Sequence, residues 1–503
     1  MKNNKLWTIL LWMLLGLQAV VEALTVAVVL RLDMLPGKYV LVLVGVMIAL
    51  LLLVGLLMFA GKKKVSTARK IIACILALLI ILACSLVAKV VTDAYSTVSN
   101  VTGADVKTNA RDTYILVRID DPAQSLADTK NYKFAALGEY NQEQTELVIG
   151  KIAEAIGAEP ALMYYGLSSA MADSLFASQE DALIMNGATI ALLMEEETYA
   201  NFFERARILM EFPYQKVEQE ETEPTEETKP KDITNTPFVV YVSGSDTRSS
   251  VLDVSRSDVN ILMIVNPVSK QVLLLNTPRD YYIPNPAGNG KLDKLTHCGL
   301  YGVDCSMEAL ENLYGISIKY YGQINFTGFE TLIDEIGGVT VYADHAFKAG
   351  KTYIQKGENF LMGKEALYFA RERYNVSGGD NGRGRNQMKV ITAVIEKMTT
   401  GTTIISNYAG ILESLEGTFS TNLQMTDISS LVKMQLSDLA KWNIKSFAVT
   451  GTNGSEKTYS APGHNASVMY PHEQVVAQAS QLVQKVLNGE LLTDEDLVIP
   501  ENK

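Results

Sequence analysis

The 503-residue chain contains only four cysteines and four histidines. Four cysteines are too few for a small domain that is held together by disulfide bonds. The net charge of −12 at pH 7 lacks the basic excess of a protein that binds nucleic acid along a positive surface. A hydrophobic content of 48% excludes disorder of the whole chain. These values predict more than one folded domain.

Several common catalytic and nucleotide-binding motifs are also missing. The sequence has no GxxxxGK[ST] loop for nucleotide phosphates, no GxSxG turn for a serine nucleophile and no HExxH helix for zinc. The histidines His297, His345, His464 and His472 show no metal-ligand spacing. A lipid-linked or extracellular phosphate compound is therefore a better candidate substrate than ATP.

Three long apolar segments, roughly 6–30, 39–60 and 71–91, occupy the start of the chain. A helix of about 20 apolar residues crosses a bilayer core of about 30 Å. The alternative for the first segment is a cleaved signal peptide, but the segment is too long and lacks a small-residue cleavage site. We therefore predict that residues 1–96 form a membrane anchor of three transmembrane helices.

The distribution of basic residues predicts the orientation of this anchor. Lys2 and Lys5 precede the first segment, and five more basic residues lie in the loop 61–70. The first loop holds only Arg31 and Lys38, offset by an aspartate. Because cytoplasmic loops carry the excess of basic residues, the N-terminus is predicted to be cytoplasmic. Three crossings then place the rest of this multi-pass cell-membrane protein outside the cell.

The part after the anchor divides by composition. Residues 100–215 predict a small extracellular α/β accessory domain, with a strand at 113–120 and helices at 144–156 and 195–210. Residues 216–236 are acidic and contain prolines, which predicts a linker. Residues 237–492 alternate apolar strands with helices, and 493–503 form a tail. The predicted fold class is a membrane-anchored α/β protein with a C-terminal α/β/α sandwich.

Two cysteines, Cys298 and Cys305, lie in the part that is predicted to be extracellular. A disulfide that closes this short loop is the favoured interpretation, because such bonds persist outside the cell. The alternative is a pair of buried thiols. The neighbouring His297 is not predicted to bind a metal, since no other histidine has the spacing of a second ligand.

Arginine is scarce in the C-terminal part and is confined to four short clusters. From Pro237 onward the chain has seven arginines and sixteen lysines, and the lysines are spread throughout. The clusters with their polar neighbours are Asp246, Arg248, Arg256 and Asp258; Arg279 and Asp280; Arg371 and Arg373; and Asp380, Arg383, Arg385 and Gln387. Ordinary surface ion pairs would use lysine as readily, so the pattern indicates a site.

The chemistry of arginine predicts the ligand of that site. Its planar group binds phosphate or carboxylate through two hydrogen bonds. Two guanidinium groups about 6 Å apart repel by roughly 3 kcal/mol at an effective dielectric of about 20, so converging clusters need an anion between them. The fourth cluster lies in a glycine-rich turn before a predicted helix, where free N–H groups favour an anion. Asp246 and Asp258 could hold Mg²⁺ or Mn²⁺ together with phosphate oxygens.

In this order, the clusters resemble the LytR-CpsA-Psr family of cell-wall ligases. The resemblance covers about residues 240–400. It consists of Asp246, Arg256-Ser257-Asp258, Pro278-Arg279-Asp280, the helix and Gly-Gly-Val at 328–339, Ala366-Leu367 before Arg371 and Arg373, and Asp380 with Arg383 and Gln387. The anchor and the extra domain are similar to the capsule-linked branch of the family. Departures include Thr277, where the family commonly has isoleucine, and Asn386, where many members have arginine.

The resemblance implies a phosphotransferase. Such an enzyme moves a glycan-phosphate from a polyprenyl-pyrophosphate-linked glycopolymer, of the capsular polysaccharide or teichoic-acid type, to a sugar hydroxyl of peptidoglycan. The implied partners are the lipid-linked glycan, peptidoglycan and the membrane, without nucleic acid. The implied roles are substrate binding by Arg248, Arg279, Arg371, Arg373, Arg383, Arg385 and Gln387; catalysis by Arg256, Arg279, Arg371, Arg373 and Asp380; and Mg²⁺ or Mn²⁺ binding by Asp246 and Asp258. Asp380 is either a base or a group that orients Arg383, and both roles stay open.

Two other functions are compatible with the same residues. With water as the acceptor, the site would be that of a lipid-pyrophosphate hydrolase. A regulator of cell-envelope synthesis could instead bind the lipid-linked glycan without converting it. Paired metal carboxylates beside Arg279 favour catalysis, because capture of the ligand alone does not require them.

Overall fold

The computed structural model describes residues 2–32, 35–60, 66–101, 112–138, 142–194, 196–213, 232–245, 255–400, 410–411, 415, 417–461 and 465–499. Two of the predicted site residues, Asp246 and Arg248, lie outside these ranges. Most of the predicted linker at 216–236 lies outside them as well.

The N-terminal part consists of helices α1 (Lys2–Leu32), α2 (Gly37–Phe59) and α3 (Thr67–Val101). Each contains a stretch that is long and apolar enough to cross a membrane: Trp7–Arg31, Gly37–Phe59 and Thr67–Lys89. This finding confirms the prediction of a three-helix membrane anchor.

Three polar residues of α1, Gln18, Glu22 and Thr25, are buried in the helix bundle. The side chain of Gln18 donates a hydrogen bond to Glu22 at 2.8 Å, and both are buried. The hydroxyl of Thr25 donates to the carbonyl of Cys84 on α3 at 3.2 Å. Polar groups that are hydrogen-bonded inside a bundle are compatible with a membrane span. This packing explains why the least apolar of the three segments is still a spanning helix.

A five-stranded sheet follows the anchor. Its strands are β1 (Thr113–Arg118), β2 (Lys133–Leu137), β3 (Ala161–Tyr165), β4 (Ala182–Asn186) and β5 (Ala206–Phe212), in the order β3-β2-β4-β1-β5. The helices of this part are α4 (Gln142–Ile156), α5 (Ser168–Phe176), α6 (Gly187–Met194) and the short α7 (Phe202–Arg205). Apolar side chains pack on both faces of the sheet, with α4 on one face and α5 and α6 on the other.

The predicted helix at 195–210 is wrong in its second half. The chain forms only the short α7 there and then continues as β5. β5 pairs with β1 along its whole length. Interstrand hydrogen bonds with a central strand therefore decide the conformation of a segment whose local pattern favoured a helix.

The described residues of the C-terminal part form fourteen further strands. In chain order they are β6 (Phe238–Gly244), β7 (Val259–Asn266), β8 (Gln271–Asn276), β9 (Tyr282–Pro284), β10 (Leu292–Lys294), β11 (Tyr320–Ile324), β12 (Val339–Ala343), β13 (Phe347–Ala349), β14 (Thr352–Ile354), β15 (Gly357–Leu361), β16 (Phe419–Thr421), β17 (Asn443–Ala448), β18 (Gly451–Lys457) and β19 (Asn465–Pro471). Its helices are α8 (Leu295–Cys298), α9 (Val303–Tyr314), α10 (Phe326–Glu335), α11 (Gly363–Arg371), α12 (Gly379–Thr399), α13 (Met425–Asp438) and α14 (Glu473–Leu487).

Six of these strands form the central sheet, in the order β16-β11-β6-β7-β8-β17. Apolar residues of α9 and α14 pack on one face of the sheet, together with Leu262 and Leu273. Residues of α12 and α13 pack on the other face, together with Ile261 and Leu274. Successive residues of a strand point to opposite faces, so each strand contributes to both layers. The arrangement is the predicted α/β/α sandwich.

The strand directions bring three connecting segments to one edge of this sheet. β6 runs parallel to β11 and antiparallel to β7, and β7 runs antiparallel to β8. Gly244 at the end of β6 therefore lies opposite both Ile324, the end of β11, and Val259, the start of β7. The end of β8 reaches the same edge, because Asn276 pairs with Ile261. The segments next to these strand ends carry the predicted site residues.

The predicted disulfide is not formed, since Cys298 and Cys305 are free and buried thiols. The thiol of Cys305 donates to Asn285 Oδ1 at 3.4 Å. The hydrogen bond with Cys305, together with burial, raises the pKa of the Cys298 thiol well above its ordinary value. A thiol with a raised pKa is a poor nucleophile and oxidises slowly, so the reduced pair is chemically stable here.

His297 belongs to a buried hydrogen-bond network and has no metal cluster around it. Its Nδ1 lies 2.6 Å from Asp293 Oδ1. Asp293 also accepts hydrogen bonds from Asn285 Nδ2 at 3.0 Å and from the backbone N–H of Ser460 at 3.2 Å. Among the residues that the structure describes, no group of three or more His, Cys, Asp or Glu side chains could hold a metal ion.

Candidate active site

A pocket of about 610 Å³ opens at the edge of the central sheet where these strand ends meet. Its wall is built from the ends of β6 and β11, the start of β7, the segment after β8, and the helices α10, α11 and α12. Six of the predicted site residues line it: Asp258, Arg279, Arg371, Arg373, Arg383 and Gln387. Residues from four separate sequence clusters therefore share one cavity.

Arg279 and Asp258 form an ion pair in this pocket, with 2.7 Å between Nη1 and Oδ1. Both side chains are largely buried, with exposed fractions of 13% and 17%. Backbone hydrogen bonds hold the two segments in place. The Asp258 N–H donates to the backbone carbonyl of Gly244 at 2.8 Å, and the Thr296 N–H donates to the backbone carbonyl of Arg279 at 2.9 Å. The hydroxyl of Thr296 also lies 3.4 Å from Asp258 Oδ1. The pair is fixed before any ligand binds.

The start of α12 presents Arg383 and Gln387 to the pocket. Residues three and four positions apart lie on one face of a helix. Arg383 Nη2 lies 2.6 Å from Asp380 Oδ1, so the first turn of the helix also orients its own arginine. The glycine-rich segment that was predicted to be a turn is already helical from Gly379. The fourth cluster therefore lies inside the helix and not before it.

Two of the predicted arginines do not line the pocket. Arg385 follows Arg383 by two positions, which turns it by about 200° around the helix axis. It is exposed, and its Nη2 donates to the carbonyl of Ser377 at 2.6 Å. Arg256 lies on the segment before β7 and is not among the lining residues that the structure describes. The structure therefore places Arg385 outside the pocket, and its contact with a substrate stays a prediction.

Arg371 and Arg373 come from the end of α11 and the turn after it. The guanidinium of Arg371 lies 4.2 Å from the centre of the Phe326 ring, which holds it flat against the pocket wall. Arg373 donates to the hydroxyl of Tyr374 at 2.5 Å. This hydrogen bond raises the pKa of the Arg373 guanidinium, burial opposes the rise, and the charges of Tyr374, Asp380 and Asp280 add to it. Arg373 thus lies within the electrostatic field of Asp380 and Asp280.

Asp380 is the carboxylic acid whose proton affinity the site changes. Burial raises the pKa of the Asp380 carboxyl, and the guanidiniums of Arg383 and Arg279 oppose that rise. The negative charges of Asp280 and Asp258 raise it further. The direction of the net shift is upward. A carboxylate with a raised pKa is a stronger base, which is the property that proton abstraction from a hydroxyl requires.

Sequence reasoning missed several residues of the site. Lys294 Nζ lies 2.6 Å from Asp280 Oδ1, and Asp280 Oδ1 also lies 3.7 Å from Arg279 Nε. Asp280 follows Arg279 directly, so its position in the second cluster was a usable signal. Lys294 stands fourteen positions after Asp280, in a segment with no motif, and only the β9–β10 pairing brings it back to the site.

Much of the remaining lining of the pocket is apolar. The apolar residues that line it include Val242, Val259, Ile324, Phe326, Phe329, Leu367 and Ile391. The cavity therefore combines four arginines with a large uncharged surface. The carboxylate of Glu372, which also lines the pocket, accepts hydrogen bonds from the N–H groups of Tyr374 and Asn375. A ligand that carries both phosphate and a long apolar group matches this combination.

Comparison with curated proteins finds TagU proteins of several bacteria among the relatives. Over 198 residues the chain is 35% identical to the polyisoprenyl-teichoic acid–peptidoglycan teichoic acid transferase TagU of Bacillus cereus, which covers 39% of this chain and 64% of that protein. It is 34% identical to the TagU of Bacillus licheniformis over 213 residues, or 42% of this chain and 68% of that protein. The chain thus spans about two thirds of the length of these relatives.

Comparison with solved structures finds Bacillus subtilis TagV. That structure is 26% identical, covers 50% of this chain and 98% of its own chain, and has a TM-score of 0.43. The profile of the LytR_cpsA_psr family matches residues 209–479, which is more than half of the sequence and includes every arginine cluster. The chain therefore belongs to the LytR_cpsA_psr family.

Proposed function

We propose that the protein is a phosphotransferase that moves a glycan-phosphate from a polyprenyl-pyrophosphate-linked glycopolymer to a sugar hydroxyl of peptidoglycan. The observation that carries the proposal is the pocket itself, in which four arginines share one cavity with many apolar side chains. The names of the TagU relatives state a transfer of teichoic acid to peptidoglycan, which agrees with this chemistry. The three-helix anchor and the additional α/β part favour a capsular polysaccharide or a teichoic-acid type polymer.

The arginines supply most of what the reaction needs. Phosphoryl transfer depends mainly on positioning and on stabilisation of charge at the phosphate oxygens. Arg279, Arg371, Arg373 and Arg383 surround the volume where a pyrophosphate would lie. Gln387 adds a neutral donor one turn after Arg383. The apolar lining would hold the first part of the prenyl chain.

Asp380 is the candidate general base. The acceptor hydroxyl loses its proton to the Asp380 carboxylate while its oxygen attacks the phosphorus next to the glycan. The bond from this phosphorus to the bridging oxygen breaks, and polyprenyl phosphate leaves with the electron pair. The raised pKa of Asp380 supports this role. Its ion pair with Arg383 supports the alternative role of orienting that arginine.

A divalent cation, Mg²⁺ or Mn²⁺, fits one side of the pocket. Asp258 lines the pocket, and its Oδ1 is engaged by Arg279. Such cations use one or two carboxylates and complete their shell with water and phosphate oxygens. We propose that Asp258 and Asp246 hold the ion. When bound, it would neutralise charge on the phosphate oxygens.

We further propose that the N-terminus is cytoplasmic and the pocket extracellular. The excess of basic residues before α1 and between α2 and α3 supports this orientation. Near the start of α2, Lys38 Nζ donates to the carbonyl of Ser437 in the C-terminal part at 2.7 Å. This contact supports a location of the first loop and the sandwich on the same side of the membrane.

The test uses the full-length chain in detergent with a lipid-pyrophosphate glycan, Mg²⁺ and peptidoglycan fragments. Glycan that becomes covalently linked to peptidoglycan supports the ligase. Release of free phosphoglycan without linkage would identify a hydrolase instead, and an unchanged donor that remains bound would identify a receptor. Omission of the peptidoglycan fragments is the control, because a ligase then produces no linked glycan.

A further inference from the structure

One edge of the five-stranded sheet that follows the anchor has no further strand beside it among the described residues. The outermost strand at this edge is β3, Ala161–Tyr165, which pairs with β2 on its inner side. Met163 is 53% exposed and Tyr164 is 56% exposed, so large apolar side chains lie at the surface there. A strand edge of this kind is a template for pairing with another strand. We refer to it as the β3 edge.

The other edges of the two large sheets are protected against such pairing. β5, at the opposite edge of the same sheet, carries the charged residues Arg207 and Glu211. In the central sheet, β16 has only three residues and β17 carries Lys445. Charged side chains and very short strands prevent association through a sheet edge. The β3 edge has neither protection, since its five residues are all uncharged. This contrast indicates that a partner strand covers the β3 edge.

The hydrogen bonds of β3 show which of its backbone groups face a partner. The N–H of Gly138, directly after β2, donates to the carbonyl of Tyr165 at 3.0 Å, so the backbone groups of Tyr165 point toward β2. Because this direction alternates along a strand, the backbone groups of Met163 also point toward β2. Those of Leu162 and Tyr164 point outward. A partner strand would therefore form its hydrogen bonds with Leu162 and Tyr164.

A second copy of β3 fits this pattern in the antiparallel orientation. With a two-fold axis at Met163, this residue lies opposite itself, and Leu162 lies opposite Tyr164 of the second copy. Leu162 and Tyr164 both have outward-pointing backbone groups, as an antiparallel hydrogen-bonded pair requires. The two Met163 residues then form the non-hydrogen-bonded pair between them. Contacts between an aliphatic and an aromatic side chain across two strands stabilise such a pairing.

The residues that flank β3 fit the same register. Pro160 precedes the strand and Gly166 follows it, and the two-fold axis places these two residues opposite each other. Proline has no N–H for a strand ladder, so the pairing ends at the same point on both sides. The nearest acidic residue before the strand, Glu159, would lie opposite Leu167 and not opposite a like charge. The segment is thus complementary to itself in length, in charge and in the direction of its backbone groups.

We propose that two copies of the protein associate through antiparallel pairing of their β3 edges, which joins their five-stranded sheets into one continuous sheet. A ladder of five residues is a small interface and would be weak between two soluble proteins. The three-helix anchor compensates for this, because it holds both copies in one membrane and raises their effective concentration. The proposal does not depend on the transfer of glycans.

Disulfide cross-linking of the full-length chain, at low density in phosphatidylcholine liposomes, tests the register. Met163→Cys should form a cross-linked dimer on mild oxidation, because the Cα atoms of a non-hydrogen-bonded pair are about 4.5 Å apart, within the range of a disulfide. Ala161→Cys is the matched control. It is exposed on the same strand, but the axis places its two copies four residues or about 14 Å apart along the ladder.

The wild-type chain, whose four cysteines are free thiols, gives the baseline of this experiment. We expect a dimer above the baseline for Met163→Cys and none above it for Ala161→Cys. Equal cross-linking of the two variants, or a Met163→Cys variant that stays at the baseline, would overturn the proposed pairing.

Charge substitutions at the axis test the association without a covalent bond. Two chains with Met163→Lys place like charges opposite each other, which destabilises a strand pair. Energy transfer between donor- and acceptor-labelled chains in the liposomes should therefore fall to the level of unassociated chains. A mixture of Met163→Lys and Met163→Glu chains should restore it, because the opposite charges attract.

Both charge variants should fold, since Met163 is exposed, and their thermal unfolding temperatures check this. Rescue by the mixture also separates a lost contact between copies from a damaged fold, because misfolded chains would not regain energy transfer. Wild-type chains without energy transfer, or a mixture that transfers no more than Met163→Lys alone, would contradict the association of two copies through β3.

Discussion

The guanidinium of Arg279 lies 2.7 Å from the carboxylate of Asp258 in the wall of the pocket. One residue follows β8 and the other precedes β7, so the antiparallel pairing of these strands brings them together. The carboxylate holds the arginine in one orientation. A change at either residue therefore affects the other, and the chemistry of the site depends on both.

Replacement of Arg279 by alanine should abolish most of the transfer activity. In the proposed reaction Arg279 stabilises charge on the phosphate, and loss of one such preorganised donor typically costs about 100- to 1,000-fold in rate. The fold should survive, because the side chain lies at the edge of the sheet and not in its core. The measurement is the rate of glycan transfer at saturating donor, together with the thermal unfolding temperature.

Arg385→Ala is the matched control for that experiment. Arg385 is exposed, lies outside the pocket and contacts only the Ser377 carbonyl among the hydrogen bonds of the described residues. We expect its replacement to leave the transfer rate within about twofold of the wild type, since surface changes are usually small. Should both variants lose activity equally, the assignment of Arg279 to the reacting phosphate would be wrong.

The pH dependence of the reaction should report Asp380. Because its pKa is raised, the carboxylate that accepts a proton forms only above the ordinary range of an aspartate. The acidic limb of the rate profile should therefore lie at a higher pH than that of an exposed aspartate. Arg383→Ala removes a guanidinium that opposes the shift, so the limb should move to still higher pH. The measurement is the transfer rate from pH 4 to about pH 9.

The raised pKa of Asp380 also affects the stability of the folded protein, and it does so in the opposite direction to its effect on activity: higher pH favours the reaction but lowers the free energy of unfolding. A carboxyl whose pKa is raised in the folded state loses stability as the pH rises from its unfolded pKa through its folded pKa. Asp380→Asn removes this loss of stability, so the variant should be no less stable than the wild type at pH 7. It should be inactive, because it lacks the proposed base. An active Asp380→Asn variant would instead support the role of orienting Arg383.

The sequence was sufficient to predict the membrane helices and the α/β/α sandwich, because both depend on local patterns in the chain. Apolar length predicted the three spanning helices, and alternation of strands and helices predicted the sandwich. Arginine clusters pointed to the residues of the pocket because each cluster lies next to a strand end or a helix end. These are relations along the chain, and they do not depend on distant contacts.

Features that depend on distant contacts were not predictable. The segment at β5 has a helical pattern, and only pairing with β1 makes it a strand. The ion pair between Lys294 and Asp280 depends on the return of the chain through β9 and β10. The reduced state of Cys298 and Cys305 depends on the core around them. Their separation of seven positions in the sequence is compatible with either a disulfide or two free thiols.

Alkylation should detect both thiols of the C-terminal sandwich, Cys298 and Cys305, in the purified protein. Treatment with a thiol reagent in denaturant, without reductant, should label all four cysteines, because the structure holds each of them as a free thiol. Reductant should leave the thermal unfolding temperature unchanged. Cys74 and Cys84 in the anchor serve as internal references. Mass spectrometry of the peptides identifies the labelled cysteines. Labelling of only Cys74 and Cys84 would show that a disulfide joins Cys298 and Cys305.

The buried carboxylate of Asp293 should make stability depend on pH. Burial alone would raise its pKa, but His297, Ser460 and Asn285 hold the pKa of this carboxyl below its ordinary value. A lowered pKa means that the carboxylate contributes stability above its unfolded pKa, and that this contribution is lost as the pH falls through the folded pKa. Asp293→Asn should destabilise the protein at pH 7 by about 2 kcal/mol, the scale of a hydrogen bond to a charged group.

The difference in the free energy of unfolding between the wild type and Asp293→Asn should therefore shrink as the solution becomes acidic, because asparagine does not titrate. Thermal unfolding of both proteins at pH 7 and at about pH 3 measures it. Asp304→Asn is the control, since Asp304 is exposed at the start of α9 and should change stability by less than about 0.5 kcal/mol. A constant difference at both pH values would mean that Asp293 acts through packing, because only the charge of the carboxylate can produce a pH-dependent term.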